Sequence, residues 1–496
     1  MSKKEKRVIN PIITVTIIIL LVLIFSSVLS LLNIEGSKTT IDSGTLETSI
    51  VLVNNIFTKE GISNFFNNII INFGLLNPLF WIIISLMATG ILRASGFLKH
   101  IASFLRKFKF NIVTYMVVFI GIISSFIGEY SYIIFLPIVA VLYKYLNKSP
   151  LLGILTMFLA ITLGYGTGIF YNYDNHILGT LTQISATLDV DQTYRYTLYS
   201  NIYIMVVSTV TITIGLSFLI NKYLLPKFEV KEVYEDELVI SKKGLLFSVL
   251  TGLVVIAGIV LLIIPTNILL DTTQTTFVAK LFSPTSPLYS SFMFLYLIGA
   301  SLVGMVYGFL SKNFKNNHQF CKGFAIQFDK VGYLFVFMFL LSILIGVVEW
   351  SNLGVVITTK LIDLLATLNF SGFVLIITTF IFVVLMTIFM PSLVGKWTII
   401  SPILIPLFMR ANMSPDFAQF LFQVSSSIGS IFTIMFPYLL ITLGLMLKYD
   451  DENIGLFSLF KKIMPVVLLT VGLWLIIILC WYVVGLPLGI GTTITM

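Results

Sequence analysis

Two triplets far apart in the chain place an ionisable residue and an aromatic after a glycine: Gly128-Glu129-Tyr130 and Gly395-Lys396-Trp397. Apolar sequence surrounds both. Pro137 and then Asn147-Lys148-Ser149-Pro150 follow the first; Pro402, Pro406 and then Asn412-Met413-Ser414-Pro415 follow the second. A carboxyl group at membrane depth is costly, and such groups mark ion paths and proton relays. Glu129 is therefore the candidate coupling residue; the competing reading is a structural carboxylate paired with a backbone donor or a lysine. Lys396 holds the matching place, where it could bind an anionic solute, pair with Glu129 or snorkel toward an interface. Trp397 could stack on an aromatic ligand or anchor its segment, the commoner role of Trp in membranes.

Two small-residue runs come next. Thr162-Leu163-Gly164-Tyr165-Gly166-Thr167-Gly168 follows the first motif, and Ser425-Ser426-Ser427-Ile428-Gly429-Ser430 follows the second. Helices broken at such runs expose carbonyls and hydroxyls that bind ions or solute. Close helix packing by small residues is the alternative. Gly164, Gly166, Ser425, Ser426 and Ser427 join Gly395, Lys396 and Trp397 as candidate solute-binding residues. Asn352, in Glu349-Trp350-Ser351-Asn352-Leu353-Gly354, sits where an outer membrane edge is expected. Asp174 and His176 read as solvated residues of an outside loop. His100 and His318 fall in cytoplasmic loops, which leaves no histidine for a membrane relay.

The elements that must position these residues are membrane helices. Hydrophobic residues make up 57% of the 496 and charged residues 10%, with a mean hydropathy of +1.02. Runs such as 12–32, 245–264 and 464–484 are long enough for a core that needs about 20 apolar residues. The first is too long, and lacks the small-residue cleavage site, for a signal peptide. Polar stretches at 33–72, 171–199, 226–243 and 311–330 read as loops, short amphipathic segments or linkers. Cys321 and Cys480 form no metal or disulfide pattern. There is no Gly-x4-Gly-Lys-Ser/Thr loop for ATP and no His-Glu-x-x-His motif. The net charge of +8 belongs to cytoplasmic loops rather than to a nucleic-acid surface.

Spans are expected near 11–32, 75–94, 151–172, 200–221, 243–264, 290–311, 332–349, 416–446 and 464–487. Two hairpins cover about 111–146 and 372–410, with breaks at 124–130 and 390–396. Lys3, Lys4, Lys6 and Arg7 place residues 1–10 in the cytoplasm. Alternating crossings then put 23 of the 30 basic residues inside, the bias expected of a correct topology. The first hairpin enters from the cytoplasm and the second from outside, so the two repeats have opposite topology. Inverted repeats with broken helices meeting at the midplane are a transporter plan. Re-entrant backbone is tolerated there only where protein buries it or water lines it. The expectation is an all-α polytopic membrane protein: about nine transmembrane helices plus two re-entrant hairpins in an inverted repeat. Residues 11–496 form one transporter domain, with repeat one at about 75–221 and repeat two at about 332–487.

At these motifs the chain resembles the p-aminobenzoyl-glutamate transporter (AbgT) family, from about residue 72 to 450. The strongest piece runs from Gly395-Lys396-Trp397 through Pro402, Pro406 and Met413-Ser414-Pro415 to Phe436-Pro437-Tyr438 and Lys448-Tyr449-Asp450. Trp350-Ser351-Asn352-Leu353-Gly354, Tyr132 with Pro137, and Ser149-Pro150-Leu151-Leu152-Gly153-Ile154 are similar to other family segments. The resemblance implies nine transmembrane helices, two hairpins and a homodimer. It also implies cation-coupled movement of p-aminobenzoyl-glutamate or efflux of sulfonamide-like antimetabolites. Departures are specific. Glu129 stands where the family has Asp, Val394 where it has Ser, and Thr387 where it has Asn. Gln423 and Ser426 replace an Arg and an Asp, and Ile434 replaces a Pro.

The resulting expectation is a secondary active transporter, not an enzyme, in a bacterial-type plasma (inner) membrane. It moves by an elevator-like or rocking motion around the hairpin tips. Glu129 couples to a cation, H+ ahead of Na+, with no metal or other cofactor. Lys396, Gln423, Ser425–Ser427 and Thr387 hold a small anionic or aromatic-amide solute. A sodium-coupled carboxylate or dicarboxylate carrier is the runner-up, and a channel or non-transporting membrane protein is the reading from another class.

Overall fold

The computed structural model describes residues 9–42, 45–189, 191–228, 237–368, 370–450 and 454–495. Lys3, Lys4, Lys6, Arg7 and Lys231, which entered the charge count, lie outside the described residues, as do residues 1–8 of the expected cytoplasmic N-terminus. The chain opens with α1 (Pro11–Leu31), whose first turn is set by Pro11 and by the Asn10 side chain accepting from Ile12 N. A two-stranded antiparallel hairpin follows, β1 (Glu35–Asp42) and β2 (Thr45–Leu52). Then come α2 (Lys59–Gly74), α3 (Asn77–Ala94) and the short α4 (Phe97–Leu105). The first hairpin is α5 (Phe110–Ile123), a single 3-10 turn at Ser124–Ile127, and α6 (Tyr130–Tyr145). After it lie α7 (Pro150–Leu163), α8 (Tyr173–Asp189) and α9 (Ile202–Leu219). A central pair, α10 (Lys242–Ile263) and α12 (Pro287–Leu310), flanks the one-turn α11 (Phe277–Leu281). Next are α13 (Asn317–Ala325), α14 (Gly332–Trp350) and α15 (Leu353–Thr367). The second hairpin is α16 (Gly372–Phe389) with α17 (Leu393–Arg410), followed by α18 (Pro415–Gly429), α19 (Pro437–Leu447) and α20 (Leu456–Val484).

Both repeated Asn-x-Ser-Pro motifs are turns, and the structure gives the reason for each residue. Asn147 and Asn412 adopt positive φ, 55° and 58°, the left-handed conformation that ends a helix and that Asn tolerates better than most residues. In each turn the next amide reaches back to a helix carbonyl: Lys148 N to Tyr143 O and Met413 N to Phe408 O, both 2.9 Å. Ser149 and Ser414 are the caps of the following helices, and Pro150 and Pro415 occupy the first helical turn, where a missing N–H costs nothing.

The packing around the two hairpins is reciprocal. Both arms of the first, α5 and α6, lie against α7; both arms of the second, α16 and α17, lie against α18. Each following helix breaks and continues into a partner that crosses to the other hairpin. α8 packs on α17 and α18, while α19 packs on α6 and α7. The break between α18 and α19 is a 42° bend. α7, of 14 residues, is about 21 Å long, short of a 30 Å hydrocarbon core. Among the described residues, ten helices, or eleven when the bent α18–α19 pair is one span, are long and apolar enough to cross a membrane; that set includes three hairpin arms.

Three expectations need correction. The span expected at 151–172 ends as a helix at Leu163; the small-residue run that follows starts at Gly164, where a Cβ would stand 2.6 Å from Ala160 O and the Ile122 side chain. The stretch 171–199, expected as loops, short amphipathic segments or linkers, contains the 17-residue helix α8, whose hydroxyl and amide side chains bond to α17 and α18. The stretch 33–72 holds β1, β2 and α2. β1 packs on α15 and α17, with Ser37 Oγ donating to Asp363 Oδ2 at 2.7 Å.

Candidate functional site

The tip of the first hairpin is built by hydroxyls and one glycine. Ser124 Oγ and Ser125 Oγ donate to Gly121 O and Ile122 O, each at 2.7 Å, and Gly128 N donates to Ser125 O at 2.9 Å. Gly128 turns the chain at φ 60°, ψ −138°. Glu129 comes immediately before α6. Its Oε2 accepts from Tyr438 Oη at 2.8 Å, so the first residues of α19 meet the tip of the first hairpin. The Tyr438 ring lies flat on Tyr132, 4.6 Å between centroids and 12° between planes. Tyr132 Oη in turn donates to Thr162 Oγ1 at the end of α7.

Asp174 is the second carboxyl at this place. It was expected in a solvated outside loop; instead it is 9% exposed. Asn172 explains its position. The Asn172 Nδ2 donates to Ser125 O at 3.1 Å, and its Oδ1 accepts from Asn175 N at 2.8 Å, which caps α8 and fastens it to the hairpin tip. Asp174 then sits in the first turn of α8, where a carboxylate favours the helix dipole, and its Oδ2 accepts from Tyr165 Oη. The expected outside-loop His176 is half-buried, its ring against Phe282.

Two spaces meet at these carboxyls. A chamber of about 400 Å³ is lined by Glu129, Asp174, both hairpin tips and a group of rings: Tyr130, Tyr171, Tyr173, Tyr289, Phe282 and Phe292. Tyr173 stacks on Tyr289 at 4.6 Å, and Tyr130 lies 4.8 Å from Phe292. Beneath it, a cleft of about 40 Å³ is lined by Glu129, Asp174, Tyr165, Leu393, Ser426, Ser427 and Ser430, among others. Glu129 is exposed, and the space it faces is this chamber and cleft. Ser426 is 2% exposed and its Oγ has no hydrogen-bond partner. Ser427 Oγ donates to Val424 O and Ser430 Oγ to Ser426 O. Among the described residues lining the two spaces there is no lysine, arginine or histidine. No three His, Cys, Asp or Glu side chains gather around one point among the described residues. The donors that could hold a small cation are the two carboxyls and the Ser426 hydroxyl.

The other expected site residues lie elsewhere. Lys396 is fully buried, so it does not snorkel. Its Nζ donates to Thr387 Oγ1 and, at 3.3 Å, to Met390 O, and it lies 5.5 Å from the Phe422 ring. Thr387 therefore closes the second hairpin from inside. Trp397 is also fully buried; its Nε1 donates to Leu178 O at 3.2 Å and to Thr182 Oγ1 at 3.1 Å of α8. Gly395 N donates to Ser392 Oγ, the cap of α17. Gln423 Nε2 donates to Asn175 Oδ1 at 2.7 Å, behind the cleft. Ser425 Oγ bonds back to Leu421 O. Gly166 is a crossing point: a Cβ there would stand 2.5 Å from Val424 Cγ2. Asn352, at φ 57°, starts α15 and donates to Leu52 O. Of the expected solute-binding set, Ser426 and Ser427 line the cleft.

Sequence reasoning passed over Asp174, Tyr438, Tyr165 and the chamber tyrosines. A usable signal existed. The helix after the second break, beginning at Phe436-Pro437-Tyr438, implies by repeat a helix after the first break, beginning near Tyr173.

Comparison with known proteins adds to this geometry. A sequence model described as the AbgT putative transporter family matches residues 3–496. The p-aminobenzoyl-glutamate transport protein of Escherichia coli (strain K12) is 24% identical over 498 residues, covering 98% of this chain and 94% of that protein. Two solved structures share the fold. The YdaH transporter of Alcanivorax borkumensis has a TM-score of 0.50 at 23% identity, over 97% of this chain and 100% of that one. MtrF of Neisseria gonorrhoeae, described with a class of antimetabolite efflux pumps, has a TM-score of 0.51 at 23% identity, over 97% of each chain.

Proposed function

The chain belongs to the AbgT putative transporter family, and from that premise we propose a secondary active transporter that moves a small aromatic solute coupled to a cation gradient, the cation being H+. One observation carries this reading: the Glu129 carboxyl, held by Tyr438, stands where the aromatic chamber meets the polar cleft. Both hairpin tips and both helix breaks converge there. A carboxyl so placed can carry a proton and contact the solute in one movement. The aromatic walls suit the aromatic-amide class among the expected solutes. The anionic class lacks a basic partner in either space, since Lys396 is enclosed in its own hairpin. The names of the relatives supply the first probes, p-aminobenzoyl-glutamate and antimetabolites. We place the protein in a bacterial-type plasma membrane as a homodimer, with a cytoplasmic N-terminus.

The test is transport in proteoliposomes under an imposed proton gradient. Gradient-driven flux is expected in the wild type and its loss in Glu129→Gln; full flux in that variant would remove Glu129 from coupling. A sodium-coupled carrier is the second reading. It is favoured by the unpartnered, buried Ser426 hydroxyl beside two carboxyls, an all-oxygen set that suits a hard cation. Replacing the proton gradient by a sodium gradient separates the two.

A further inference from the structure

We infer that the transported solute is an organic cation, an amine or quaternary ammonium carrying an aromatic ring. The inference rests on the transporter reading and names the substrate class of the same site. Three observations point the same way. First, the only ionisable groups besides phenols in the chamber and cleft, among the described lining residues, are the carboxyls of Glu129 and Asp174. An anionic solute would meet two acids and no base, in a space where poor screening makes like charges costly. Second, the wall above the carboxyls is a connected set of π faces. Tyr173 stacks on Tyr289, Tyr289 lies 5.7 Å from Tyr130, and Tyr130 lies 4.8 Å from Phe292. Faces of this kind attract cations through the ring quadrupole and also stack on aromatic rings. Third, Ser426 Oγ is buried, unpartnered and on the cleft wall, an acceptor available to an N–H donor.

The fit is also one of size and place. The chamber, at about 400 Å³, is within the range of small-molecule sites. The polar cleft below it holds one or two small groups. An aromatic body in the chamber thus sets an ammonium group between Glu129 and Asp174. The phenols that touch the carboxyls, Tyr438 on Glu129 and Tyr165 on Asp174, orient them without neutralising them. The positive charge nearest in sequence to the second tip, Lys396, is turned back into its own hairpin. A proton and an ammonium group then satisfy the same carboxyls, and occupancy by one disfavours the other, the condition for exchange.

Ethidium, a planar aromatic cation, is the probe, titrated by fluorescence against the full-length purified chain in nanodiscs. Saturable binding is expected. Asp174→Asn and Glu129→Gln should each weaken it at least tenfold, and Tyr289→Ala about fivefold. Asp174→Glu, which keeps the charge, should hold within threefold and controls for folding. p-Aminobenzoate, an aromatic anion, should not displace the probe. Wild-type affinity in both carboxamide variants, or displacement by p-aminobenzoate, would overturn the inference. Gradient-driven flux of p-aminobenzoyl-glutamate with no ethidium binding sinks the cation class and leaves the transporter reading standing. Ethidium binding with no gradient-driven flux of any solute does the reverse.

Discussion

The two hairpin tips carry the same sequence pattern and put their ionisable residues to opposite use. At the first, Gly128 is the turn itself, with positive φ, and Glu129 precedes the helix, so its carboxyl projects into the chamber. At the second, the turn is made by Met390, Pro391 and the capping Ser392, and Gly395 lies within the first turn of α17. Lys396 is therefore already helical. Side chains on a helix lean toward its N-terminus, which carries the Lys396 amino group back to Thr387 and the Met390 carbonyl. A shift of four residues, about one helical turn, in where the helix starts separates a cavity residue from an enclosed one.

That comparison can be broken by exchanging or removing its parts. The largest effect is expected at the first tip. Glu129→Gln should lower gradient-driven flux at least a hundredfold, about 3 kcal/mol on the coupled step, while Glu129→Asp keeps part of it; proteoliposome rates decide. Tyr438→Phe comes next. It removes the hydrogen bond that positions the Glu129 carboxyl, so flux should fall roughly tenfold, about 1.4 kcal/mol on the coupled step. Retention of full flux would mean that Glu129 needs no positioning from α19.

Smaller effects test the shared turns. Asn147→Ala and Asn412→Ala should each cost about 1 kcal/mol, because alanine is poorer than asparagine at positive φ. The glycine substitutions should be neutral. Comparable thermal shifts at both sites would show that the two repeats use the motif alike; a shift at one alone would break the equivalence. The smallest functional effect is expected at the second tip. Lys396→Met keeps the stem and removes a buried amine whose neighbours are the Thr387 hydroxyl, the Met390 carbonyl and the Phe422 ring. Flux and apparent solute affinity should stay within threefold, and a hundredfold loss would restore Lys396 to the transport site.

Much of this architecture was legible in the residues. Hydropathy located all the long spans, and the paired Asn-x-Ser-Pro motifs located the two turns before α7 and α18. Of the serine run proposed to bind ion or solute, Ser426 and Ser427 line the cleft. α8 was not legible. Its polarity resembles that of a loop, yet Thr182, Ser185 and Asn175 bond to α17 and α18 rather than to water: Thr182 to Gln419, Ser185 to Ser401, Asn175 to Gln423. Polarity satisfied inside a protein and polarity satisfied by solvent look the same along a chain. The β1–β2 hairpin was missed for a related reason, since its pairing is local but its docking on α15 and α17 is not.

By itself, then, the sequence determined a membrane-embedded helical protein with two similar, proline-punctuated halves and one costly carboxyl, Glu129. Each of these follows from composition, spacing and local backbone preference. Only the tertiary structure decided which of the repeated residues share a space. It brought Asp174 and Tyr438 to Glu129 from opposite halves, and it took Lys396 and Trp397 out of the cavity. The physical reason is that reciprocal packing of each broken helix on the other repeat's hairpin sets these distances, and that packing depends on contacts more than 200 residues apart, such as Tyr438 to Glu129 and Trp397 to Thr182.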